Sequence, residues 1–229
     1  MSPKCKYQVI LPQNAIINKG ESHIMGQSSA RINHSMQTTN KFIYGQLKDE
    51  LEKYKNFDQP KLVICFSGIP GSGKTTLAAE LEKKLKAIRV SNDDIRSVIE
   101  SDAVTNRDQR EDLKEKFLDW FFVEVKKWPN GTILLDSGID RRYLELKQRF
   151  NDYKFFVISI EISKELAIER LKARQGHRSK LQPMLDSMDR WITDKKEFDN
   201  KYSSEVDYRI DASMTHDVDM LIDEIVALL

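Results

Sequence analysis

The chain has 229 residues and a formal net charge of +1, from 37 Lys and Arg against 36 Asp and Glu residues. This length is sufficient for one full-sized domain with a substantial core, and a hydrophobic content of 40% with a charged content of 32% is typical of globular proteins. The balanced charge excludes a global electrostatic attraction to nucleic acid or to an anionic membrane, so any anion site has to be local.

The two cysteines, Cys5 and Cys65, supply neither a disulfide framework nor the spacing of metal ligands. A reducing cytoplasm is therefore the expected compartment. No apolar run approaches the ~20 residues of a membrane span, so no membrane partner is expected.

The chain divides by composition at about Pro60. Residues 1–60 are predicted to be an N-terminal extension, mostly polar and partly irregular, with a helix at about 41–57. Residues 61–229 are predicted to form one domain in which apolar strands alternate with helices. Alternation of this kind favours an α/β fold, a three-layer sandwich with a mainly parallel sheet. Its strands are expected at 62–66, near Val90, and at 132–135, 155–162 and 208–210.

The most specific motif is a glycine-rich loop. Residues 68–75 read GIPGSGKT and fit the pattern GxxxxGK[ST] between an apolar strand and a strong helix. In such a loop, backbone N–H groups and the helix N-terminus bind phosphate oxygens, the lysine reaches the β and γ phosphates, and the hydroxyl holds Mg²⁺. The alternative is a chance glycine turn before a helix. The predicted nucleotide-binding residues here are Gly68, Gly71, Ser72, Gly73, Lys74, Thr75 and Thr76.

An acidic residue follows the apolar run at 132–135. Asp136 is predicted to meet the metal or its water shell together with Thr75, as the Walker B carboxylate does. The alternative is a carboxylate that caps the next turn.

A second carboxylate lies in the segment SNDDIR, residues 91–96, where the strand near Val90 ends. Asp93 and Arg96 are three residues apart and would share a helical face at the carboxyl end of the sheet. Asp93 could accept the proton of an attacking hydroxyl, and Arg96 could bind a phosphate on the acceptor. The alternative is that Asp93 is a helix N-cap and Arg96 a solvated side chain.

A basic helix follows the predicted strand at 155–162. Arg170 and Arg174 are four residues apart and are expected on one helix face, in a lid at about 163–200 that brings cationic charge to the nucleotide. The alternative is an ordinary solvated face neutralised by neighbouring glutamates.

The order GIPGSGKTT, SNDDIR, LLDSG and ERLKAR resembles the P-loop kinases of the 5′-hydroxyl polynucleotide kinase type, over about residues 61–213. Zeta-toxin-like sugar-nucleotide kinases share the loop and an acidic base. The resemblance implies a P-loop NTPase kinase fold, with ATP and Mg²⁺ bound at Lys74 and Thr75. It further implies that Asp93 is the general base, Arg96 binds the acceptor's phosphate, Asp136 supports the metal, and Arg174 with Arg170 contacts the donor phosphates. After Asp136 the chain continues with Ser137 and Gly138 where that family commonly has a Thr-Asn pair.

These features together predict an ATP-dependent phosphotransferase with an alcohol group as acceptor. The expected acceptor is the 5′-hydroxyl of a polynucleotide or a nucleotide-like substrate. One alternative is a small-molecule kinase acting on a sugar nucleotide or nucleoside. Another, of a different class, is a nucleotide-dependent switch that hydrolyses slowly and works through partner binding.

Overall fold

A computed structural model describes residues 60–93, 95–96, 107–127, 131–174, 178–214 and 217–229. The predicted N-terminal extension, with its helix at about 41–57, lies outside these residues except for Pro60. Within the described residues the helices and strands, in chain order, are β1 (Leu62–Ser67), α1 (Lys74–Leu85), β2 (Ile88–Ser91), α2 (Arg107–Lys126), β3 (Thr132–Gly138), α3 (Tyr143–Arg149), β4 (Lys154–Glu161), α4 (Lys164–Ala173), α5 (Arg178–Asp186), α6 (Met188–Tyr202), a 3₁₀ turn (Ser203–Glu205), β5 (Tyr208–Asp211) and α7 (Val218–Leu228).

The strands of the described residues form one sheet of five, all parallel, in the order β2-β3-β1-β4-β5. Every residue of β1 is buried, which fits a central strand covered on both faces. Parallel strands require crossovers, and the helices between them supply these on both faces of the sheet. The predicted three-layer α/β sandwich with a mainly parallel sheet is confirmed, and the predicted strands match the observed ones to within a few residues.

One irregularity in the sheet positions a side chain of interest. β3 pairs with β1 as far as Leu135 opposite Cys65, but the next pair is Gly138 opposite Phe66. Asp136 and Ser137 therefore bulge relative to β1, while Asp136 remains opposite Ser91 of β2. Bulges change the direction of side chains and are common beside active sites.

The apolar residues of the strands pack on two sides, as their alternation requires. On one side Val63, Cys65 and Leu135 pack against the aromatic face of α2, which includes Phe117 and Phe121. On the other side the intervening residues of the strands pack against α1 and α7. The aromatic residues Phe117, Phe121 and Phe122 of α2 are buried, so their rings contribute to the core.

Helices α4, α5 and α6 pack around a smaller apolar cluster. Ala167 and Leu171 of α4 and Met188 of α6 are buried in it, and so is Ile69 of the glycine-rich loop. The segment predicted as a lid thus shares a core with the loop. Across the described residues, no helix combines the length and the apolar character that crossing a bilayer requires.

Candidate active site

The glycine-rich loop connects β1 to α1 at the carboxyl edge of the sheet. Gly68 and Gly71 have φ angles of 146° and 89°, which favour glycine. Space imposes the same requirement, because a Cβ on Gly68 would lie 2.8 Å from the carbonyl oxygen of Ile160, and one on Gly71 would lie 2.6 Å from that of Ala167. Both positions bring the loop backbone against neighbouring elements, so they are glycines for structural as well as chemical reasons.

The first turn of α1 leaves its N–H groups directed at this loop. The N-cap residue is Gly73, which has a left-handed backbone and no side chain that could cap the helix. The first four N–H groups of a helix lack intrahelical partners, and the positive end of the helix dipole adds to their attraction for anions. The loop and the start of α1 therefore fit a phosphate chain.

We expect Gly71→Ala to lower the melting temperature and weaken ATP binding more than Gly73→Ala does. Both substitutions place alanine at a left-handed φ, but a Cβ at Gly73 meets no atom of the described residues within 4 Å, whereas one at Gly71 collides with the backbone of α4. The strain of φ alone costs about 1 kcal/mol, and the collision adds to it. Thermal unfolding and ATP titration of the two variants measure the difference, and equal losses would contradict the packing of the loop on α4.

Lys74 lies across the loop. Its Nζ donates to the carbonyl oxygens of Gly68 and Ile69 at 2.5 and 2.8 Å, and to Oγ of Ser72 at 3.4 Å. Burial lowers the pKa of Lys74 to about 8, opposed by the carboxylates of Asp140 and Asp136 and reinforced by the positive charges of Arg174 and Lys195. The ammonium group is thus held where the loop would bind phosphate, between carboxylates and cations.

Thr75 and Asp136, the two residues predicted to meet the metal, are in contact. Oγ1 of Thr75 donates to Oδ1 of Asp136 at 3.1 Å. The other oxygen of Asp136 accepts a hydrogen bond from Nη1 of Arg89 at 2.6 Å, and Nε of Arg89 donates to Glu82 at 2.9 Å. Asp136 is almost fully buried, so Arg89 compensates for a charge that would otherwise be costly to bury.

This donor set suits a magnesium ion better than a softer metal. A hydroxyl and a carboxylate offer oxygen ligands, and Mg²⁺ usually takes one or two carboxylates together with substrate phosphates and water. In the described part of the chain no three His, Cys, Asp or Glu side chains group as an all-protein metal site. Thr75 and Asp136 are therefore the residues that could hold the ion.

Sequence reasoning missed two residues here, Asp140 and Arg89. Oδ1 of Asp140 accepts a hydrogen bond from Oγ of Ser67 at 2.6 Å, and its Oδ2 accepts one from the N–H of Gly68 at 3.4 Å. Asp140 thereby fixes the start of the loop. A signal for Arg89 was present, because an arginine inside a short buried strand needs a carboxylate partner, and Asp136 was the nearest candidate at the same edge.

Asp93 and Arg96 share a helical face, as their spacing predicted. Nη1 of Arg96 donates to Oδ1 of Asp93 at 3.2 Å, and Nε of Arg96 donates to Oε1 of Glu111 on α2 at 3.1 Å. Asp93 lies two residues beyond Ser91, which pairs with Asp136 across the sheet. The Asp93–Arg96 pair therefore follows the end of β2, the strand whose last residue lies opposite Asp136. The Asp93 side chain is largely exposed.

Arg170 and Arg174 have different surroundings. α4 ends at Ala173, and Arg174, its C-cap residue, has an extended backbone. Nη2 of Arg170 donates to the carbonyl oxygen of Ala212, just after β5, at 2.6 Å. Arg174 is exposed, and its charge lowers the pKa of Lys74, as does that of the nearly buried Lys195 on α6. The structure therefore places two positive charges of the segment predicted as a lid near the loop, those of Arg174 and Lys195. The sequence analysis did not single out Lys195.

Comparison with known proteins gives three findings. The model of a family described as AAA domain matches residues 64–201, more than half of the chain. A protein of Dictyostelium discoideum named a probable gluconokinase is 25% identical over 142 residues, covering 58% of this chain and 70% of that protein. The crystal structure of shikimate kinase from Bacteroides thetaiotaomicron superposes with a TM-score of 0.50 at 17% identity, covering 73% of this chain and 97% of that one. The last likeness shows a shared fold.

Proposed function

Because the chain belongs to this AAA domain family of P-loop kinases, we propose that it is an ATP-dependent kinase that transfers the γ-phosphoryl group to a hydroxyl of a small, carbohydrate-like molecule. The observation that carries the proposal is the arrangement at one edge of the sheet. The start of α1 has no side-chain cap, and Lys74 and the Thr75–Asp136 pair lie at the same edge. Asp93 and Arg96 follow the end of β2 at this edge. The first group of residues suits a nucleotide, and the Asp93–Arg96 pair suits an acceptor.

The predicted class of enzyme is confirmed: the chain is a phosphotransferase with an alcohol group as acceptor. The finer prediction of a polynucleotide acceptor receives no support from the comparisons. The relative named as a gluconokinase favours instead the alternative of a small-molecule kinase. The proposed acceptor is accordingly a small polyhydroxy compound.

The donor side of the mechanism depends on positioning and charge. The N–H groups of the loop and of the first turn of α1 would bind the phosphates, with Lys74 exchanging its loop carbonyl partners for phosphate oxygens. Thr75 and Asp136 would hold Mg²⁺, which neutralises phosphate charge when bound. Arg174 would add positive charge from the lid as the reaction develops negative charge on the transferred group.

The acceptor side depends on Asp93. Its exposed carboxylate can take the proton of the attacking hydroxyl at Oδ2, while Arg96 keeps Oδ1 in place. In phosphoryl transfer the protein takes little part in the covalent chemistry. The base and the loop therefore contribute mainly by aligning the two substrates.

The test is an acceptor panel. The purified protein is incubated with γ-labelled ATP, Mg²⁺ and, in separate reactions, sugar acids, neutral polyols, nucleosides, sugar nucleotides and 5′-hydroxyl oligonucleotides. We expect label on a small polyhydroxy acceptor. Label on the oligonucleotides alone would contradict the proposed acceptor, and release of labelled phosphate that no acceptor stimulates would favour the nucleotide-dependent switch.

A further inference from the structure

A ring of hydrogen bonds connects the metal-site carboxylate to the helix that carries Thr75. Oγ1 of Thr75 donates to Oδ1 of Asp136, and Nη1 of Arg89 donates to Oδ2 of the same carboxylate. Nε of Arg89 donates in turn to Oε2 of Glu82. Thr75 and Glu82 both belong to α1, where residues seven apart lie on one face of the helix. The ring therefore begins and ends on α1 and passes through β3 and β2.

The charged groups of this ring are largely shielded from water. The side chains of Asp136, Arg89 and Glu82 are 3%, 13% and 20% exposed. Hydrogen bonds between ionised groups are strong and directional, and they are stronger still where little water competes. Because Arg89 holds Oδ2 of Asp136, Oδ1 is the oxygen that faces Thr75. The orientation of the Asp136 carboxylate thus depends on that of the Arg89 guanidinium.

Neutralising the charge of Asp136 does not require Glu82. One guanidinium is enough to compensate one carboxylate, and Glu82 brings a second, partly buried carboxylate to the same guanidinium. Burial of a further ionised group carries a desolvation penalty, so charge balance alone gives no reason for it. The bond from Nε to Glu82 does fix the guanidinium, with Nη1 directed at Asp136. The contribution of Glu82 is therefore to orientation.

We propose that Arg89 and Glu82 are positioning residues for the metal, which act by fixing Oδ1 of Asp136 on the side of Thr75. This inference rests on the metal site of the proposed function and adds to it two residues that act through Asp136. Residues that hold a metal ligand in place commonly change metal affinity or activity by about ten- to hundredfold when they are replaced. Glu82 is one step further from the ion than Arg89, so its effect should be the smaller.

The test measures how much Mg²⁺ tightens nucleotide binding. The dissociation constant of a non-hydrolysable ATP analogue is determined by calorimetry in Mg²⁺ and again in EDTA, and the ratio of the two constants gives the coupling between metal and nucleotide. We expect Glu82→Ala to reduce this ratio about three- to tenfold. The constant in EDTA should stay near wild type, because Glu82 lies two turns along α1 from the loop. A general loss of stability would change both constants together.

Three further variants separate orientation from charge. Glu82→Gln keeps an oxygen that can accept the bond from Nε of Arg89, so it should retain most of the coupling that Glu82→Ala loses. Glu80→Ala, the matched control, removes an exposed carboxylate of α1 that pairs with Lys83, and it should match wild type. Arg89→Lys keeps a positive charge beside Asp136 but loses the planar fork that reaches both carboxylates, so its ratio should fall about ten- to hundredfold.

A wild-type ratio in Glu82→Ala or in Arg89→Lys, or an equal loss in Glu80→Ala, would overturn the inference. Equal losses in Glu82→Ala and Glu82→Gln would also overturn it, because charge and not orientation would then be the cause. Where wild type itself shows strong coupling, these results count against the inference alone. If Mg²⁺ does not tighten binding of the analogue to wild type, the metal site of the proposed function fails, and the inference with it.

Discussion

Replacing Lys74 by alanine is expected to lower the rate of phosphoryl transfer by ~10²–10³-fold, the loss typical of removing one preorganised group that stabilises charge in the transition state. The fold should survive, because within the described residues the Lys74 ammonium donates only to the loop itself, to Gly68, Ile69 and Ser72. Initial rates at saturating ATP, together with thermal unfolding, measure the two effects separately.

The matched control is Lys83→Ala. Lys83 is on the same helix but is exposed and pairs with Glu80, so its removal should leave both rate and fold close to wild type. A Lys74→Ala variant with near-normal transfer would contradict the assignment of the loop. A variant that no longer folds would show that Lys74 has a structural role that its contacts do not indicate.

Asp93→Asn is expected to lower transfer to the acceptor by ~10²–10⁴-fold, the usual contribution of a positioned general base. The amide oxygen can still accept the hydrogen bond from Nη1 of Arg96, but it cannot take the proton of the hydroxyl. ATP affinity should barely change, because Asp93 follows β2, which β3 separates from β1 in the sheet, and is not part of the loop between β1 and α1. Titrations of ATP and of the identified acceptor measure the two properties.

Asp112→Asn provides the comparison for Asp93→Asn. Asp112 is an exposed carboxylate on α2 that pairs with Lys116, so its substitution tests the loss of one surface charge without loss of the base. If Asp93 were only a helix N-cap, asparagine would serve as well and both variants would behave like wild type. Full activity of Asp93→Asn would therefore remove the general base from the mechanism.

The loop and the fold could be predicted because their signals are local. A run such as Leu62–Ser67 is apolar throughout, which indicates a strand buried on both faces, and the motif that follows it has fixed spacing. The Asp93–Arg96 contact followed from helical spacing in the same way. In each case the residues that matter are neighbours in the sequence.

The contacts that escaped prediction join residues that are distant in the sequence. Arg89 and Asp136 are 47 residues apart, and Ser67 and Asp140 are 73 apart, so only the register of the sheet brings them together. The bulge at Asp136 has no sequence signature of its own.

The central claim is that γ-phosphate passes from ATP to a hydroxyl of a small polyhydroxy acceptor at this site. Phosphorus NMR of a reaction containing ATP, Mg²⁺, the protein and gluconate follows donor and product together. The account predicts that a phosphomonoester resonance grows at the rate at which ADP forms, and that both grow ~10²–10⁴-fold more slowly with Asp93→Asn. Growth of the inorganic phosphate resonance at the rate of ADP formation, with or without acceptor, would contradict it.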